Sequence, residues 1–366
     1  MHLKSLSILD YKNIEQADLL FCAKLNCFLG DNGAGKTNLL DSIYYLSFCK
    51  SFFNSIDQLN IKHGSDFFMV QGKFLRGDDD DLVTCGYKNG QKKQIKRNQK
   101  AYKKISDHIG LFPLVMVSPS DSLLILGGSD ERRKFMDGVI SQYDHNFLEA
   151  LIRYNRALLQ RNNLLKRFSE TRSFDADTLL IYDEQLVDYG EVIYQKRTEF
   201  INQMIPVFQY FYEFVSGGKE KVALEYSSTL SEGNFREQLI MSQPKDRSSL
   251  FTGVGIHKDD MNLLLDGFPI KRIGSQGQNK TYLLALKLAQ FEFLKKISGI
   301  KPILLLDDIF DKLDSKRVNK IIELVSKDQF GQIFITDTNR KHLDEILEQI
   351  NSEYKLFMVA DGKAID

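Results

Sequence analysis

The sequence predicts an α/β fold, with a core built around a glycine-rich P-loop, an antiparallel β meander beside it, and an inserted, mostly helical lobe. Two observations predict this arrangement. Toward both ends of the chain, apolar residues form short strand-like segments, and the glycine-rich stretch at 30–37 lies between such a strand and a helix. From about 120 to 215, apolar residues recur at helical spacing instead. We therefore expect a split head domain at 1–119 and 250–366, and a helical lobe at 120–249.

The composition is that of an ordinary globular chain. The 366 residues are 43% hydrophobic and 27% charged, and 49 basic residues balance 49 acidic ones. Because the net charge is zero, any binding of nucleic acid must rely on local basic patches. No run approaches the roughly 18 apolar residues of a membrane helix, and the first residues are too polar for a signal peptide. We expect a cytoplasmic protein without a membrane span, with reduced and mostly buried cysteines, namely Cys22, Cys27, Cys49 and Cys85.

The N-terminal third is predicted to consist mostly of strands. Two strands are expected, LKSLSILDY and ADLLFCAKLNCFLG, joined by the polar NIEQ, and the second leads directly into the glycine-rich loop. The following TNLLDSIYYLSF places its apolar residues at helical spacing. Residues 66–105 predict antiparallel hairpins, with the acidic RGDDDD, the Asn89-Gly90 pair and a break near Asn98 as turns.

The centre of the chain predicts helices, and strands return after residue 220. The first helix is GGSDERRKFMDGVI, with Ser129 or Asp130 as its N-cap. Two longer helical segments follow, separated by the loop SETRSFDAD, and their heptads do not persist long enough for a coiled coil. The last part predicts the strands KVALEYSS and MNLLLDG, a helix after SQGQ, the strand PILLLDD, a further helix and the strand QIFITD.

The stretch GDNGAGKT at 30–37 has the spacing of a P-loop. Its glycines let backbone N–H groups turn toward a phosphate that side chains would block. Lys36 can bring its charge to the outer phosphates, and the Thr37 hydroxyl can ligate Mg²⁺. A chance glycine turn is the alternative, but the flanking strand and helix favour nucleotide binding. The residues expected to bind are Gly30, Asp31, Asn32, Gly33, Ala34, Gly35, Lys36 and Thr37.

The stretch KPILLLDDIFDKLD at 301–314 predicts a second part of the same site. A buried strand would bring two carboxylates to its C-terminal end, which is where parallel sheets bind ligands. Asp307 is expected to hold Mg²⁺, and Asp308 to position or activate the attacking water. The alternative, a strand that ends in a solvated acidic turn, is less favoured beside a P-loop.

The stretch RIGSQGQNKT at 272–281 resembles the signature of the ABC class of P-loop ATPases. A helix N-terminus with the Ser275 hydroxyl and the Gly277 N–H can receive a phosphate. In that class, the signature meets the γ-phosphate bound to a partner subunit, so that two chains enclose two ATP molecules. The resemblance therefore implies an ATP-dependent homodimer, and it places DKLD at 311–314 where the D-loop lies. The alternative is an ordinary serine N-cap.

Several segments together resemble the bacterial RecF family, in order from about residue 1 to 345. They are ILDYKNIEQADLLF, SPSDSLLILGGSDERRKFMDG, YNRALLQRNNLLK, IYDEQLVDYG, GIHKDD, SQGQNKTYLLALKLAQ and LLLDDIFDKLD. The resemblance implies an ABC-type ATPase head with a helical lobe, slow DNA-stimulated ATP hydrolysis, and binding at junctions of duplex and single-stranded DNA. It also implies action with RecR and RecO to load RecA during DNA repair and replication.

The resemblance assigns roles to individual residues. It implies Lys36, Asp308 and Ser275 as catalytic residues, with Ser275, Gly277 and Gln278 acting on the partner's ATP. Lys12 and Asn13 occupy the family's usual Arg-Asn, close to the adenine and α-phosphate. Lysine keeps the charge of that arginine but loses its planar fork. Phe53 stands where the family tends to have arginine, so no phosphate contact is carried over to it.

Three weaker signals leave alternatives open. The basic stretch at 87–104 is either a backbone-phosphate patch for DNA or a solvated strand face. Arg132 and Arg133 open a helix, where a cation is unfavourable, so each is expected to have a carboxylate or phosphate partner. The run His257–Asp260 could suggest a metal site, although no second histidine lies nearby. The residues proposed for DNA contact are Lys92, Lys93, Lys96 and Arg97.

Other P-loop proteins are the competing functional hypotheses. The main alternative is the soluble ATPase subunit of an ABC transporter, but here the interval between P-loop and signature is much longer. No transporter-like histidine follows QIFITD either, and Thr336, Asp337 and Thr338 stand there instead. A chromosome-organising SMC protein would need long heptads, and a fused nuclease would need a further acidic metal centre.

Overall fold

The computed structural model of the chain divides into two compact units. It describes residues 1–218, 220–309, 320, 323, 329–340, 344, 347 and 353–365. The head unit comprises Met1–Ser122, Phe211–Gly218 and Gln276–Asp366, and the lobe unit comprises Leu123–Tyr210 and Lys219–Ser275. The lobe unit therefore extends past the predicted limit at 249, because the strands near its end pair and pack within it.

A six-stranded sheet forms one layer of the head unit, in the order β15-β14-β3-β13-β12-β8. All neighbours are parallel except β14 and β15, which are antiparallel. The central strands are buried along their whole length, which matches their mostly apolar sequences. Their bounds are β3 Leu25–Leu29, β8 Leu114–Val117, β12 Ile303–Asp307, β13 Ile333–Asp337, β14 Tyr354–Ala360 and β15 Lys363–Ile365.

The second sheet of the head unit is the antiparallel meander, in the order β2-β1-β4-β5-β6-β7. The predicted hairpins are present, and Asn98 and Gln99 turn with positive φ, near the predicted break. The strands are β1 His2–Tyr11, β2 Ile14–Leu20, β4 Phe67–Arg76, β5 Asp79–Lys88, β6 Gln94–Arg97 and β7 Lys100–Ala101.

Two expectations for these strands were wrong. The segment ADLLFCAKLNCFLG is not one strand, because β2 pairs with β1 in the meander whereas β3 joins the parallel sheet. The acidic RGDDDD is not all turn either, since β5 begins at Asp79 and Asp81 is buried beneath Arg97. In both places, a partner distant in sequence decides the structure, and local composition does not reveal it.

Helix α1, Lys36–Phe48, lies between the two sheets and contacts strands of both. Apolar residues of α1, of the meander and of the parallel strands share one hydrophobic core, which includes Leu40, Phe74 and Phe334. Helix α8, Gln276–Ser298, also belongs to the head unit and buries most of its length from Thr281 onward. The glycine-rich loop is therefore anchored at both ends by buried elements.

The lobe unit contains helices α2, α3, α4, α6 and α7, residues 176–210 of α5, and a small antiparallel sheet, β11-β10-β9. Helix α3 begins at Ser129, but its N-cap is Gly128, so neither Ser129 nor Asp130 caps it. Helix α4 takes in the first residues of the predicted loop SETRSFDAD, and α6 was missed altogether. The elements are α2 Leu123–Leu126, α3 Ser129–Ile140, α4 His145–Thr171, α5 Ala176–Ser216, β9 Val222–Ser227, α6 Phe235–Ser249, β10 Asp260–Leu265, β11 Phe268–Pro269 and α7 Ile270–Ile273.

Two global properties can be compared with the sequence. Among the residues that the structure describes, no helix has the length and apolar character required to cross a bilayer. The four cysteines are buried and free, as predicted.

Candidate nucleotide-binding site

The glycine-rich loop connects β3 to α1, and at several positions its backbone conformation requires glycine. Gly33 and Gly35 have φ values of 81° and 115°, which side-chain-bearing residues rarely adopt. A Cβ on Gly30 would lie 2.1 Å from the backbone oxygen of Val359. The loop therefore keeps its backbone accessible at the N-terminus of α1, where N–H groups and the helix dipole favour an anion.

Lys36 is held inside this loop. Its Nζ donates to the backbone oxygens of Gly30 and Asp31 over 2.8 and 3.0 Å, and the residue is only 4% exposed. The loop carbonyls position Lys36 without a rigid partner. Its ammonium group can therefore exchange these hydrogen bonds for contacts with phosphate oxygens.

Thr37 and Asp307 meet at the C-terminal edge of the parallel sheet. Thr37 Oγ1 donates to Asp307 Oδ1 over 2.9 Å, and Thr336 Oγ1 donates to the same oxygen, also over 2.9 Å. Burial raises the pKa of the Asp307 carboxyl to about 6, and the hydrogen bonds from Thr336 and Thr37 act in the opposite direction. A hydroxyl and a carboxylate placed together in this way are oxygen donors suited to Mg²⁺.

Thr336 had no predicted role in this site. It pairs in register with Asp307 across the parallel strands β12 and β13. Its place at the end of a buried apolar strand, beside the strand that carries the carboxylates, is the signal that could have found it.

Asp308 follows β12 directly and adopts the left-handed region, with φ of 45°. Its backbone N–H donates to Thr336 Oγ1 over 2.9 Å. Thr336 thus contacts both residues of the pair, since its hydroxyl donates to the Asp307 carboxylate and accepts from the Asp308 backbone N–H. Asp308 is partly exposed, whereas Asp307 is 3% exposed.

Asn13 and Lys12 have different surroundings. Asn13 Nδ2 donates to the Gly33 oxygen over 3.3 Å, and its Oδ1 accepts from Asn38 over 2.7 Å, so Asn13 braces the loop. Lys12 Nζ lies 2.6 Å from Asp41 Oδ2 and 5.2 Å from the ring centroid of Phe53. In this structure, the charge of Lys12 therefore compensates the buried Asp41 carboxylate.

Asp41 is the second residue that sequence reasoning missed. It is fully buried and accepts hydrogen bonds from the Tyr11 hydroxyl, the Ser51 hydroxyl and the Phe52 N–H, at 2.6 to 2.7 Å. It fixes the segment after α1 against the end of β1. Nothing in its immediate sequence neighbourhood distinguishes it from an exposed helical aspartate.

The signature residues lie at the start of α8. Ser275 immediately precedes the helix and is exposed, and Gly277 and Gln278 in its first turn are partly exposed. Thr281 Oγ1 donates to the Gly277 oxygen over 2.9 Å. The predicted D-loop, 311–314, lies outside the described residues.

The basic stretch divides into paired and open residues. Lys93 Nζ donates to the Cys49 oxygen over 2.7 Å and lies 3.0 Å from Asp57, and Arg97 makes two hydrogen bonds with Asp81. These two cations stabilise the meander itself. Lys92 is exposed and Lys96 is partly exposed, so the DNA hypothesis depends chiefly on them.

The arginines of α3 have partners within the lobe unit. Arg132 forms two hydrogen bonds with the Asp260 carboxylate, at 2.6 and 2.9 Å. Arg133 pairs with Asp130 and donates to the Asp259 backbone oxygen. The carboxylate alternative therefore accounts for both residues.

The metal interpretation of His257–Asp260 has no support in the geometry. One ring nitrogen of His257 contacts the Tyr154 hydroxyl at 2.9 Å and the other contacts the Thr252 backbone oxygen at 3.0 Å. Burial lowers the pKa of His257 to about 4, so the ring is neutral and structural at pH 7. Within the described part of the chain, no three potential ligands are grouped for a metal.

A P-loop after β3, a carboxylate pair at the end of β12 and a serine–glycine–glutamine start to α8 together define an ATPase head of the ABC class. A family model described as the RecF/RecN/SMC N terminal domain matches residues 2–364. The chain belongs to the RecF family. It is 58% identical to the DNA replication and repair protein RecF of Phocaeicola vulgatus, over 100% of this chain and 98% of that protein. It is 51% identical to the protein of the same name from Flavobacterium johnsoniae, over 98% and 99% of the two chains.

Solved structures agree with this placement. The structure of the recombination mediator protein RecF-ATP in the RecFOR pathway superposes with a TM-score of 0.90 and 32% identity, over 100% of this chain and 97% of that chain. An Smc head bound to the C-winged helix domain of ScpA has a TM-score of 0.59 at 16% identity, which shows a shared fold alone. The transporter alternative is not favoured.

Proposed function

We propose that this chain is an ATP-dependent recombination mediator that binds DNA. It dimerises on binding ATP, binds junctions of duplex and single-stranded DNA, and hydrolyses ATP weakly, with stimulation by DNA. With RecO and RecR, it helps to load RecA in DNA repair and replication restart. Family membership and the names of the full-length relatives support this proposal. The single structural observation that carries it is the contact of Thr37 with Asp307 beside the glycine-rich loop.

In the proposed mechanism, the loop residues Gly30 to Thr37 bind the phosphates of ATP. Backbone N–H groups face the phosphates, and Lys36 exchanges its carbonyl contacts for the outer phosphate oxygens. Thr37 and Asp307 would hold Mg²⁺, which, when bound, neutralises phosphate charge. Their adjacency and oxygen chemistry fit that ion. Asn13 keeps the loop in shape through its contact with the Gly33 oxygen.

Asp308 positions or activates the attacking water in this mechanism. Its backbone N–H, and not its side chain, is bonded to Thr336. The Asp308 carboxylate therefore does not share the Mg²⁺-binding role proposed for Asp307. An aspartate reaches less far than the glutamate found at this place in transporters. Its shorter reach suits slow hydrolysis and a switch that persists in the ATP-bound state.

Ser275, Gly277 and Gln278 act on the ATP of a second copy of the chain. Ser275 is exposed directly before α8, and a helix N-terminus favours a phosphate. Because two signatures would then enclose two ATP molecules, dimerisation depends on bound ATP. The exposed Lys92 and the partly exposed Lys96 are proposed to contact the DNA backbone.

The mass of the protein in solution tests the dimer. With Mg²⁺ and a non-hydrolysable ATP analogue, size-exclusion chromatography with light scattering should show a doubled mass for the wild type. Ser275→Arg should remain monomeric while still binding the analogue, and Lys36→Met should lose both properties. Ser169→Arg, which changes an exposed serine of α4, is the matched control and should dimerise normally. A wild-type monomer at saturating analogue would contradict the proposal.

A further inference from the structure

An aromatic side chain of the head unit, Phe53, lies in the segment that follows α1 and remains 38% exposed. Its ring is held from two directions. Lys12 Nζ lies 5.2 Å from the ring centroid, and the Phe52 ring packs against it at 5.1 Å and an interplanar angle of 81°. The Phe53 N–H also donates to the Ser51 hydroxyl, which itself donates to the buried Asp41 carboxylate. Phe53 therefore presents a firmly positioned apolar surface to solvent.

Contacts at the first turn of α1 distinguish two sides of the glycine-rich loop. On one side, Thr37 Oγ1 donates to Asp307 Oδ1 over 2.9 Å. The next residue, Asn38, is turned about 100° around the helix and donates to Asn13 Oδ1 over 2.7 Å. Asn13 belongs to the turn between β1 and β2, which therefore lies on the second side. Phe53 is on this side as well, because the other residue of that turn contacts its ring.

The direction of a bound nucleotide follows from these two sides, and this step rests on the ATP-binding function proposed above. In a P-loop, the lysine contacts the β- and γ-phosphates, and the threonine hydroxyl holds the Mg²⁺ that bridges them. The terminal phosphates therefore belong on the side of Thr37 and Asp307. The nucleoside, at the other end of the phosphate chain, extends toward the opposite side of the first turn, where Asn13 and Phe53 lie.

We propose that Phe53 stacks against the base of the bound nucleotide. An aromatic side chain offers a base an apolar face, and such stacking raises affinity by about tenfold or more. Because every base has a π-face, the contact tolerates different bases and favours the larger purine rings, which overlap more with the side chain. The loop thus binds the phosphates, whereas Phe53 contributes the part of the affinity that depends on the base.

Tryptophan fluorescence tests the contact, because the chain contains no tryptophan of its own. In Phe53→Trp, ATP with Mg²⁺ should quench the emission, since the base stacks on the new ring. Inorganic tripolyphosphate occupies the loop but has no base, so it should leave the emission nearly unchanged. Ile56→Trp changes a residue of the same segment that is 57% exposed, and it should respond to neither ligand. Both variants are made in the Ser275→Arg background, which excludes an effect of dimerisation.

Binding affinities from calorimetry separate this role from a structural one. Phe53→Ala should bind ATP about tenfold more weakly or worse and bind tripolyphosphate like the wild type. Phe53→Tyr keeps the ring and should retain the affinity for ATP, and Ile56→Ala should leave both affinities unchanged.

Three results would overturn the proposal: an unchanged affinity of Phe53→Ala for ATP, equal losses for ATP and tripolyphosphate, or equal quenching of Phe53→Trp by both ligands. In each of these cases the proposed ATP-binding function would stand. A wild-type protein that binds neither ligand would contradict that function and this inference together.

Discussion

Thr37 Oγ1 and Asp307 Oδ1 lie 2.9 Å apart, although 270 positions separate the two residues in the chain. The contact joins the first turn of α1 to the end of β12, and Thr336 on β13 completes it from the other side. Asp307 is buried, and its pKa is raised to about 6. Three elements thus surround the Asp307 carboxylate. Because ionising this buried group without a nearby cation costs free energy, it has a property expected of a metal-binding residue.

The first prediction concerns the stability of Asp307→Asn. The folded-state pKa of about 6 exceeds the ordinary value of about 3.9, so the folded state binds this proton more tightly. Protonation of Asp307 therefore stabilises the folded state, and this contribution is complete below about pH 4 and is lost as the pH rises through about 6. Without Mg²⁺ or nucleotide, the variant should therefore gain on the order of 1 kcal/mol relative to wild type between pH 5 and pH 8. Urea unfolding at both pH values measures this, and parallel pH dependences would contradict it.

The second prediction separates ATP binding from hydrolysis. Asp308→Asn should lower the rate of phosphate release by at least about a hundredfold, since the proposed base is removed. Asparagine tolerates the positive φ at this position, and the backbone bond to Thr336 does not involve the side chain. The ATP-bound dimer should therefore still form and should persist. Single-turnover phosphate release and light scattering measure the two properties, and normal turnover would remove Asp308 from the mechanism.

The sequence predicted the α/β class, the loop between β3 and α1, and the strand that presents Asp307, because each has a strong local pattern. It did not predict that β2 and β3 belong to different sheets, since pairing with β1 or β13 is decided by tertiary structure. The sequence also did not predict the role of Lys12. Its partner Asp41 looks like any helical aspartate until packing buries it.

The third prediction distinguishes the open from the paired lysines of the basic stretch. Lys92→Gln should weaken DNA binding and reduce the slope of affinity against salt by about one ion, because an exposed phosphate contact is lost. Lys93→Gln should leave that slope unchanged and destabilise the fold by about 1 kcal/mol, because it loses the Cys49 oxygen and Asp57. Fluorescence anisotropy across salt and urea unfolding measure the two effects. The reverse pattern would exclude Lys92 from the DNA surface.

The fourth prediction concerns the buried ion cluster of the lobe unit. Arg161 is fully buried and donates to Asp183 over 2.6 Å and to Asp246 over 2.7 Å. Asp246→Ala should cost about 3–5 kcal/mol in the free energy of unfolding, since it leaves Arg161 without one partner and the Gly253 N–H without its acceptor. Asp183→Asn should cost less, because burial raises the pKa of Asp183 and an amide oxygen can still accept from Arg161. Asp188→Asn, an exposed change on the same helix α5, should stay within about 0.5 kcal/mol of wild type. Urea unfolding ranks the three variants, and equal costs for Asp183 and Asp246 would contradict this account of the cluster.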